Sequence, residues 1–327
     1  MHVAITGGTG FIGSHVVERL AADGHELSCL VLPGERVDPL PGVAYREGDL
    51  RRPASLGDFL SGAETLVHLA GLTRASSERE FMDLNAECSA GLVREAIRVS
   101  PRLDHVIAMS SAAATGPAPD SRGNDEDAPQ RPLTPYGRSK ARMEELLRSF
   151  SGRISWTVLR APGVYGPRDR DFLALFRMVA RGVRLVVGRR NMVSLLYVRH
   201  LADAIAACVS NPAARNQAFC LSDDGSYDWD DIGAMMEAGL GRRTTRVYLP
   251  EWAVSAIALA SCPLRFLSRK PPLITRDKVR ELRQPYWNLR NDKAKRLLGW
   301  NPATPTANAF RETAEWYLDS GWIRGAS

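Results

Sequence analysis

Lysine is scarce in this 327-residue chain, which has five lysines among its 43 basic residues. The arginines that make up the rest are scattered, some in adjacent pairs, with no basic tract and no interleaved aromatic residues. Proteins that bind nucleic acid usually concentrate positive charge in a patch or stripe. The net charge of +6 is therefore interpreted as a solvated surface, and the sequence predicts no nucleic-acid partner.

Cysteine is also rare. The five cysteines form an odd, widely spaced set without a CxxC pair: Cys29, Cys88, Cys208, Cys220 and Cys262. Such a set supplies neither a disulfide framework nor the ligand spacing of a metal site, so we expect no bound metal. The amino-terminal residues lack the charged and apolar regions of a signal peptide. These absences together predict a protein of the reducing cytoplasm.

Long apolar runs are missing as well. The most lipophilic uncharged stretch, residues 252–264, has 13 residues, whereas a membrane-spanning helix needs about 20. No transmembrane segment is therefore predicted. With Trp229, Phe266, Tyr286 and Trp287, this stretch fits three alternatives: packing inside a domain, an apolar substrate pocket, or contact with a membrane surface.

The first half of the chain alternates short β-branched runs with helical patterns. The predicted strands are residues 2–6, 27–32, 65–69, 105–110 and 156–159, and the predicted helices lie near 12–23, 54–61, 79–99 and 136–150. This alternation is typical of parallel strands joined by crossover helices, and continuous apolar strands indicate burial on both faces. The expected fold is α/β, a doubly wound parallel sheet of the Rossmann type.

The length predicts about two domains. Residues 1–166 are expected to form the dinucleotide-binding domain, with residues 193–222 returning to it through a strand near 193–198 and another near 218–221. Residues 167–192 and 223–327 are expected to form a smaller, mostly helical substrate domain. Ligands of open α/β sheets bind beyond the carboxyl ends of the strands, and this domain would cover them.

A glycine-rich turn directly follows the first predicted strand. The segment TGGTGFIG, residues 6–13, places Gly7, Gly10 and Gly13 between that strand and an amphipathic helix. Glycines allow the tight turn and the close backbone approach that a dinucleotide pyrophosphate requires, and the helix amino terminus favours its charge. Phe11 and Ile12 complete the predicted cofactor-binding turn.

The sequence leaves the choice between NAD and NADP open. An acidic residue at the end of the second strand would bind the adenosine ribose of NAD, but Val31 and Leu32 stand there. Arg36 follows within a few residues and can pair with a 2′-phosphate, which favours NADP. Asp49, followed by Leu50, is expected either to bind the adenine amine or to serve as an acid at a helix amino terminus.

The segment Tyr136-Gly-Arg-Ser-Lys140 lies on a predicted helix, so Tyr136 and Lys140 are one turn apart on the same face. An adjacent ammonium favours the phenolate and makes tyrosine a better acid–base catalyst. Ser111 stands at the end of a predicted strand, where its hydroxyl can stabilise charge on a reacting oxygen. These three residues are the predicted catalytic group.

With these motifs the chain resembles the extended short-chain dehydrogenases/reductases, the NAD-dependent epimerase/dehydratase superfamily. The resemblance rests on TGGTGFIG, GDL at 48–50, HLAG at 68–71, YGRSK at 136–140, LRAPGVYGP at 159–167, YVRHLADA at 197–204 and LGWNP at 298–302. It implies a Ser111, Tyr136 and Lys140 triad and a homodimer packed through helices near 85–99 and 137–150. The further cofactor contacts that it implies are Leu69, Ala70, Gly71, Thr73, Asn85, Pro162 and Val164.

Departures from the family pattern narrow the expected reaction. The Asp-Glu pair of family 4,6-dehydratases is replaced by Ala112 and Ala113, which argues against dehydration. Gly163 and Val193 replace the Asn and the Arg that nucleotide-sugar epimerases of the family usually carry. In the YVRHLADA segment, His200 replaces an acidic residue and is expected to have a structural or surface role.

The sequence therefore predicts an NAD- or NADP-dependent oxidoreductase that transfers hydride reversibly at a secondary alcohol or ketone. One alternative is a nucleotide-sugar epimerase with tightly bound NAD. An alternative from another class is a non-catalytic protein that binds the cofactor as a sensor or scaffold. Such proteins tend to lose the Tyr or the Lys of the triad, and both are present here.

Overall fold

A computed structural model describes residues 1–187, 191–250 and 276–324. The apolar stretch 252–264, Phe266 and Cys262 lie outside the described residues. The described strands are β1 (His2–Thr6), β2 (Glu26–Val31), β3 (Val43–Glu47), β4 (Thr65–His68), β5 (His105–Ser111), β6 (Ser155–Ala161), β7 (Gly163–Tyr165), β8 (Val183–Val187), β9 (Met192–Val193), β10 (Leu195–Tyr197), β11 (Gln217–Cys220), β12 (Thr245–Leu249) and β13 (Tyr286–Trp287).

The described helices follow the strands in the alternating order that the sequence predicts. They are α1 (Phe11–Ala22), α2 (Gly57–Leu60), α3 (Glu78–Met82), α4 (Ser89–Val99), α5 (Ala112–Thr115), α6 (Pro135–Arg148), α7 (Asp171–Ala180), α8 (Val198–Ser210), α9 (Trp229–Leu240), α10 (Arg276–Leu282), α11 (Asp292–Leu298) and α12 (Thr306–Asp319). A π-helical segment, Asp83–Cys88, joins α3 to α4. None of these helices is long and apolar enough to cross a membrane.

Seven strands form one parallel sheet in the order β11-β6-β5-β4-β1-β2-β3. The chain runs outward from β1 through β2 to β3 and then crosses to β4 on the other side of β1. This reversal of strand order leaves a crevice at the carboxyl ends of β1 and β4, where open α/β sheets bind ligands. The predicted doubly wound α/β fold is confirmed.

The core lies on both faces of the sheet because successive side chains of a strand point in opposite directions. In β1, Val3 and Ile5 pack into the apolar cluster that includes residues of α1 and α8. Ala4, between them, packs into the cluster that includes residues of α2, α4 and α6. A strand with both faces covered needs apolar residues at every position, which explains its continuous hydrophobic pattern.

Two strand assignments differ from the sequence-based expectation. The edge strand β3 is absent from the predicted strands, because its residues are exposed or half-buried and carry no continuous apolar run. The strand predicted near 193–198 does not return to the main sheet: β10 pairs with β7 in a separate two-stranded sheet. Of the two predicted returning segments, only the second, β11, extends the seven-stranded sheet.

The separate β7–β10 sheet is explained by aromatic packing. Tyr165 and Tyr197, from these two strands, are fully buried in a third apolar cluster that is built largely from α7, α9 and α12. The ring of Tyr165 stacks on Phe310 with centroids 4.3 Å apart. Burial of such large rings supplies much of the packing energy of a small domain. The strand pair therefore faces the carboxyl-terminal helices.

His200, at the start of α8, is buried where these helices meet the sheet. Its Nδ1 is 2.7 Å from the Asp223 carboxylate, and its Nε2 accepts the Thr304 backbone N–H at 3.1 Å. The indole of Trp300 donates to the His200 carbonyl at 2.8 Å. Both ring nitrogens are thus engaged in joining chain segments, which is the contact pattern of a structural residue.

We expect buried His105 to make stability fall in mild acid. Burial lowers the pKa of His105 to about 4, below its usual 6.5, so the folded protein keeps the ring neutral while the unfolded chain takes up a proton as the pH falls through 6.5. Between pH 7 and pH 5 this linkage removes about 2 kcal/mol of stability. Denaturant unfolding at both pH values measures the loss.

The matched variant is His105→Gln. Thr157 Oγ1 donates to the Ala214 carbonyl, so His105 Nε2 must be the donor in its 2.8 Å hydrogen bond to Thr157. A Gln amide can also donate, but it does not titrate. The variant should lose about 2 kcal/mol less than the wild type between pH 7 and pH 5. Equal losses in the two proteins would contradict the assignment.

Candidate active site

The turn after β1 is built on close backbone contacts. Gly7 has φ of +73°, and a Cβ there would lie 2.8 Å from the backbone nitrogen of Ala70. A Cβ on Gly13 would overlap the carbonyl oxygen of Gly7. Glycine at both positions therefore lets α1 start directly against the turn, as the predicted dinucleotide-binding motif requires.

The amino terminus of α1 is open to a ligand. Gly10 precedes the helix and is exposed, and no side chain among the described residues caps the first turn. The first N–H groups of a helix lack intrahelical acceptors, and the helix dipole makes this end positive. An uncapped helix end at the crevice of a parallel sheet fits a pyrophosphate, so the residues present are suited to a nicotinamide dinucleotide.

A buried chain of hydrogen bonds supports the segment after β4. Thr6 Oγ1 accepts the Ala70 N–H at 3.2 Å and lies 2.7 Å from His68 Nδ1. His68 Nε2 lies 2.7 Å from Ser89 Oγ, which itself donates to the Asn85 carbonyl. Burial, aided by the charge of Lys140, lowers the pKa of His68 to about 3. His68 is therefore neutral and holds the predicted cofactor-contacting segment Leu69, Ala70 and Gly71 beside the glycine turn.

Ser111 and Tyr136 meet at the carboxyl end of β5. Ser111 Oγ accepts the Ala113 N–H at 3.1 Å, which fixes the hydroxyl at the start of α5. Tyr136 lies in the first turn of α6, which Thr134 caps by accepting the Gly137 N–H. The Ser111 hydroxyl lies beside that of Tyr136 and opposes the effect of burial on the Tyr136 pKa. The structure thus brings together two of the three predicted catalytic residues.

Lys140, the third predicted catalytic residue, is buried one turn further along α6. Its Nζ donates to the Met109 carbonyl at 2.8 Å rather than to Tyr136. Burial lowers the pKa of Lys140 to about 8, and it raises that of Tyr136 to about 12 despite the opposing effect of the Ser111 hydroxyl. At neutral pH the lysine is therefore mostly charged and the tyrosine protonated.

Asn85 connects the loop after β4 to α6, which carries two of the predicted catalytic residues. It lies in the π-helical segment, and its side chain exchanges two hydrogen bonds with the backbone of Leu72, at 2.7 and 2.9 Å. Its Nδ2 also donates to Ser139 Oγ at 3.0 Å. Short π segments inside helices often occur at functional sites. Thr73, next in the loop, is exposed.

The other predicted cofactor residues surround the same edge of the sheet. Arg36 is exposed in the loop after β2, and Leu50 is buried. One carboxylate oxygen of Asp49 accepts the Arg51 N–H in a local turn. Pro162 and Val164 are half-buried on either side of the exposed Gly163, where β6 gives way to β7.

Two acidic residues at the site were missed by the sequence analysis. Glu35 accepts the Thr9 hydroxyl at 2.8 Å and the Leu32 N–H at 3.0 Å, so its carboxylate lies beside the glycine turn. The sequence feature that could have identified Glu35 is an acidic residue four positions beyond the end of β2. Glu281 on α10 accepts the Thr134 hydroxyl at 3.4 Å, and its charge raises the pKa of Tyr136. Within the described ranges, no cluster of three or more acidic, His or Cys side chains is arranged to hold a metal ion.

Comparison with known proteins gives one family. The sequence model of the NAD-dependent epimerase/dehydratase family matches residues 3–220. A ceramide reductase of Caulobacter vibrioides is 27% identical over 98% of this chain and 96% of its own length. A UDP-glucose 4-epimerase of Vibrio cholerae is 24% identical over 97% of this chain and 96% of its own length.

The solved structures agree on the fold. The UDP-glucose 4-epimerase of Thermotoga maritima, solved with UDP-glucose, superimposes with a TM-score of 0.80 at 22% identity, covering 98% of this chain and 99% of that chain. At this identity the similarity establishes the architecture, and the reaction has to be argued from the residues of the site.

Gly137 lies between Tyr136 and Lys140 and brings α6 against α5. Its close packing leads to a prediction about stability. A Cβ there would overlap the Ala113 carbonyl oxygen and lie 3.1 Å from Pro132 Cβ. Gly137→Ala should lower the free energy of unfolding by about 1–3 kcal/mol, the usual cost of overpacking. The control is Gly57→Ala, where a Cβ meets nothing within 4 Å. Chemical denaturation of both variants measures the difference, and equal stabilities would refute the packing argument.

Proposed function

The chain belongs to the NAD-dependent epimerase/dehydratase family, and from this membership we propose that it interconverts a secondary alcohol and a ketone on a substrate that is not a nucleotide sugar. The observation that carries the proposal is the placement of Ser111 beside Tyr136 at the sheet edge, with Lys140 buried one turn away on α6. The homodimer through helices near 85–99 and 137–150 is part of the same proposal.

The three side chains divide the proton chemistry of ketone reduction among them. Tyr136, whose pKa is about 12, keeps its proton at neutral pH and donates it to the carbonyl oxygen. Ser111 donates a hydrogen bond to the same oxygen as negative charge develops there. The Lys140 ammonium stabilises the phenolate that Tyr136 becomes. The nicotinamide ring supplies the hydride when the cofactor is bound, and alcohol oxidation is the reverse.

The glycine turn and α1 would hold the pyrophosphate, and Leu69–Gly71 would pass beside the cofactor. Arg36 alone favours NADP, but the position of Glu35 favours NAD. Its carboxylate accepts hydrogen bonds from Thr9 in the glycine turn and from the N–H of Leu32, which directly follows β2. An acid in this region binds the adenosine ribose of NAD and repels a 2′-phosphate. We therefore propose NAD as the preferred cofactor.

The proposed substrate class follows from the side chains at the two positions that contact the diphosphate of a nucleotide sugar in epimerases of the family. Gly163 is exposed and Val193 is half-buried, so these two positions offer neither an amide nor a guanidinium to a nucleotide sugar. A relative named as a ceramide reductase, matched over nearly the whole chain, supports reduction of a larger, partly apolar ketone. The described aromatic residues of the predicted apolar site, Trp229, Tyr286 and Trp287, are half-buried.

Epimerisation of a nucleotide sugar is the second candidate, supported by the Vibrio cholerae relative. An epimerase reduces and reoxidises the same NAD, so it can retain the cofactor through purification. Mass spectrometry of the nucleotide that is released on denaturing the purified protein distinguishes the two. Stoichiometric NAD favours the epimerase, and an empty site that fills on titration favours a dehydrogenase that exchanges its cofactor.

Replacement of Tyr136 by Phe tests the reaction and separates an enzyme from a cofactor-binding scaffold. We expect turnover to fall by at least about 10²-fold, the usual contribution of a positioned acid, while the dissociation constant of NAD stays within about twofold. Turnover is measured by nicotinamide absorbance with a panel of secondary alcohols and ketones. The control is Tyr248→Phe at an exposed position. Undiminished turnover in the Tyr136 variant would refute the proposed proton donor.

Replacement of Glu35 by Gln tests the cofactor assignment. We expect the wild-type protein to bind NAD at least about tenfold more tightly than NADP, which corresponds to about 1.4 kcal/mol. The variant should reduce this ratio, because it removes the charge that repels the 2′-phosphate. Calorimetric titration of both nucleotides measures it. The control is Glu26→Gln at the opposite end of β2, which should leave the ratio unchanged. A wild-type preference for NADP would contradict the assignment.

A further inference from the structure

Glu144 has no part in the proton chemistry proposed above, yet it lies on the same face of α6 as Tyr136 and Lys140. The three residues are spaced four apart, so Glu144 follows Lys140 by one helical turn. Its side chain is 0% exposed. A carboxylate buried to this extent has to be compensated by partners, because an isolated buried charge is strongly destabilising.

Four side chains donate hydrogen bonds to Glu144. Its Oε1 accepts the Ser110 hydroxyl at 2.6 Å, and its Oε2 accepts the Gln130 amide at 2.7 Å. Arg160, whose side chain is 3% exposed, donates through Nη2 to Oε2 at 2.8 Å and through Nε to Oε1 at 3.1 Å. Arg148 donates to Oε2 at 2.8 Å from the next turn of α6.

This cluster fixes the catalytic helix to the strand that carries Ser111. Ser110 immediately precedes Ser111 on β5, and it is paired in register with Arg160 on β6. One carboxylate therefore contacts α6, β5 and β6 at the level of the catalytic group. Replacement of a buried ion pair by apolar residues is often neutral or stabilising, so stability alone is a weak reason for such a cluster.

The cluster also sets the charge around Lys140. The titratable groups that face Lys140 and Glu144 are His68 on β4, Arg160 on β6, Cys220 on β11, and Tyr136 and Arg148 on α6. His68 is neutral, and burial raises the pKa of Cys220, which keeps its thiol protonated. The Glu144 carboxylate opposes the effect of burial on the Lys140 pKa. Arg160 and Ser110 in turn hold the pKa of Glu144 below its usual range.

We propose that Glu144 and Arg160 form a positioning pair for the reaction proposed above. Glu144 favours the charged form of Lys140, Arg160 orients the Glu144 carboxylate through two hydrogen bonds, and together they hold α6 so that Tyr136 meets Ser111. The proposal rests on the proposed function for its catalytic consequence. Its electrostatic part concerns only the free protein and is measurable without substrate or cofactor.

Because the chain has five lysines, the titration of Lys140 can be followed directly. With ¹³C-labelled lysine, the chain gives five side-chain signals in a carbon–proton spectrum, and Lys140→Met identifies the one from Lys140. In the wild type this signal should titrate near pH 8. In Glu144→Gln the midpoint should fall by about one pH unit, since an adjacent opposite charge is lost. Glu145→Gln, an exposed carboxylate on the same helix, is the matched control and should leave the midpoint unchanged.

Replacement of Arg160 should shift the Lys140 midpoint in the opposite direction. In Arg160→Met, Glu144 keeps its hydrogen bonds from Ser110, Gln130 and Arg148, so we expect it to stay ionised near pH 8 with its charge less compensated. The Lys140 midpoint should therefore rise, and the double variant should lie between Glu144→Gln and wild type. If Glu144→Gln does not fold, the difference between Arg160→Met and the double variant still measures the effect of Glu144. A Lys140 midpoint that is unmoved by loss of Glu144 would overturn the proposal and leave the pair a purely structural role.

The catalytic part of the proposal is tested with the same variants, using a substrate that the wild-type protein converts. The alkaline limb of the kcat profile should shift in the same direction as the Lys140 midpoint in each variant, because loss of the ammonium removes the stabilisation of the phenolate. Shifted midpoints with an unshifted alkaline limb would refute the catalytic consequence. Failure of the proposed function would instead appear as undiminished turnover in Tyr136→Phe, whatever the spectra show.

Discussion

Parallel pairing of β1, β4, β5 and β6 is the constraint on which the rest of the structure depends. Parallel strands end at the same edge of a sheet, so residues far apart in the chain are brought together there. The glycine turn after β1, His68 at the end of β4 and Ser111 at the end of β5 all occupy this edge. The crossover helices then start or pass at that edge, which brings the open end of α1 and the first turn of α6 to the same crevice.

The polar groups buried beneath this edge are stabilised by hydrogen bonds to one another. Thr6 and Ser89 hold the His68 imidazole, which burial keeps neutral. Arg160 helps to lower the pKa of the buried Glu144 carboxylate. Both networks lie next to Lys140, which is itself buried. In a low-dielectric interior, burial and neighbouring charges together decide the protonation state of each group.

Much of the site was predictable because its signals are local. The spacing of Gly7, Gly10 and Gly13 follows from a strand that turns directly into a helix, and the spacing of Tyr136 and Lys140 follows from one helical turn. Glu35 was not predictable in this way, since the loop after β2 folds back to bring its carboxylate to Thr9. Strand β10 was also assigned to the wrong sheet, because periodicity identifies a strand but not the partner that its aromatic residues select.

The amino-acid sequence was sufficient for the α/β class, and it predicted a dinucleotide turn and three candidate catalytic side chains, because each depends on periodicity or spacing over a few residues. The pairing of Glu144 with Arg160, the hydrogen bond of Lys140 to Met109 and the proximity of Glu281 to Tyr136 emerged only on folding. These contacts join residues from different strands and helices, and burial together with neighbouring charge then sets the pKa of each group. No local pattern contains that information.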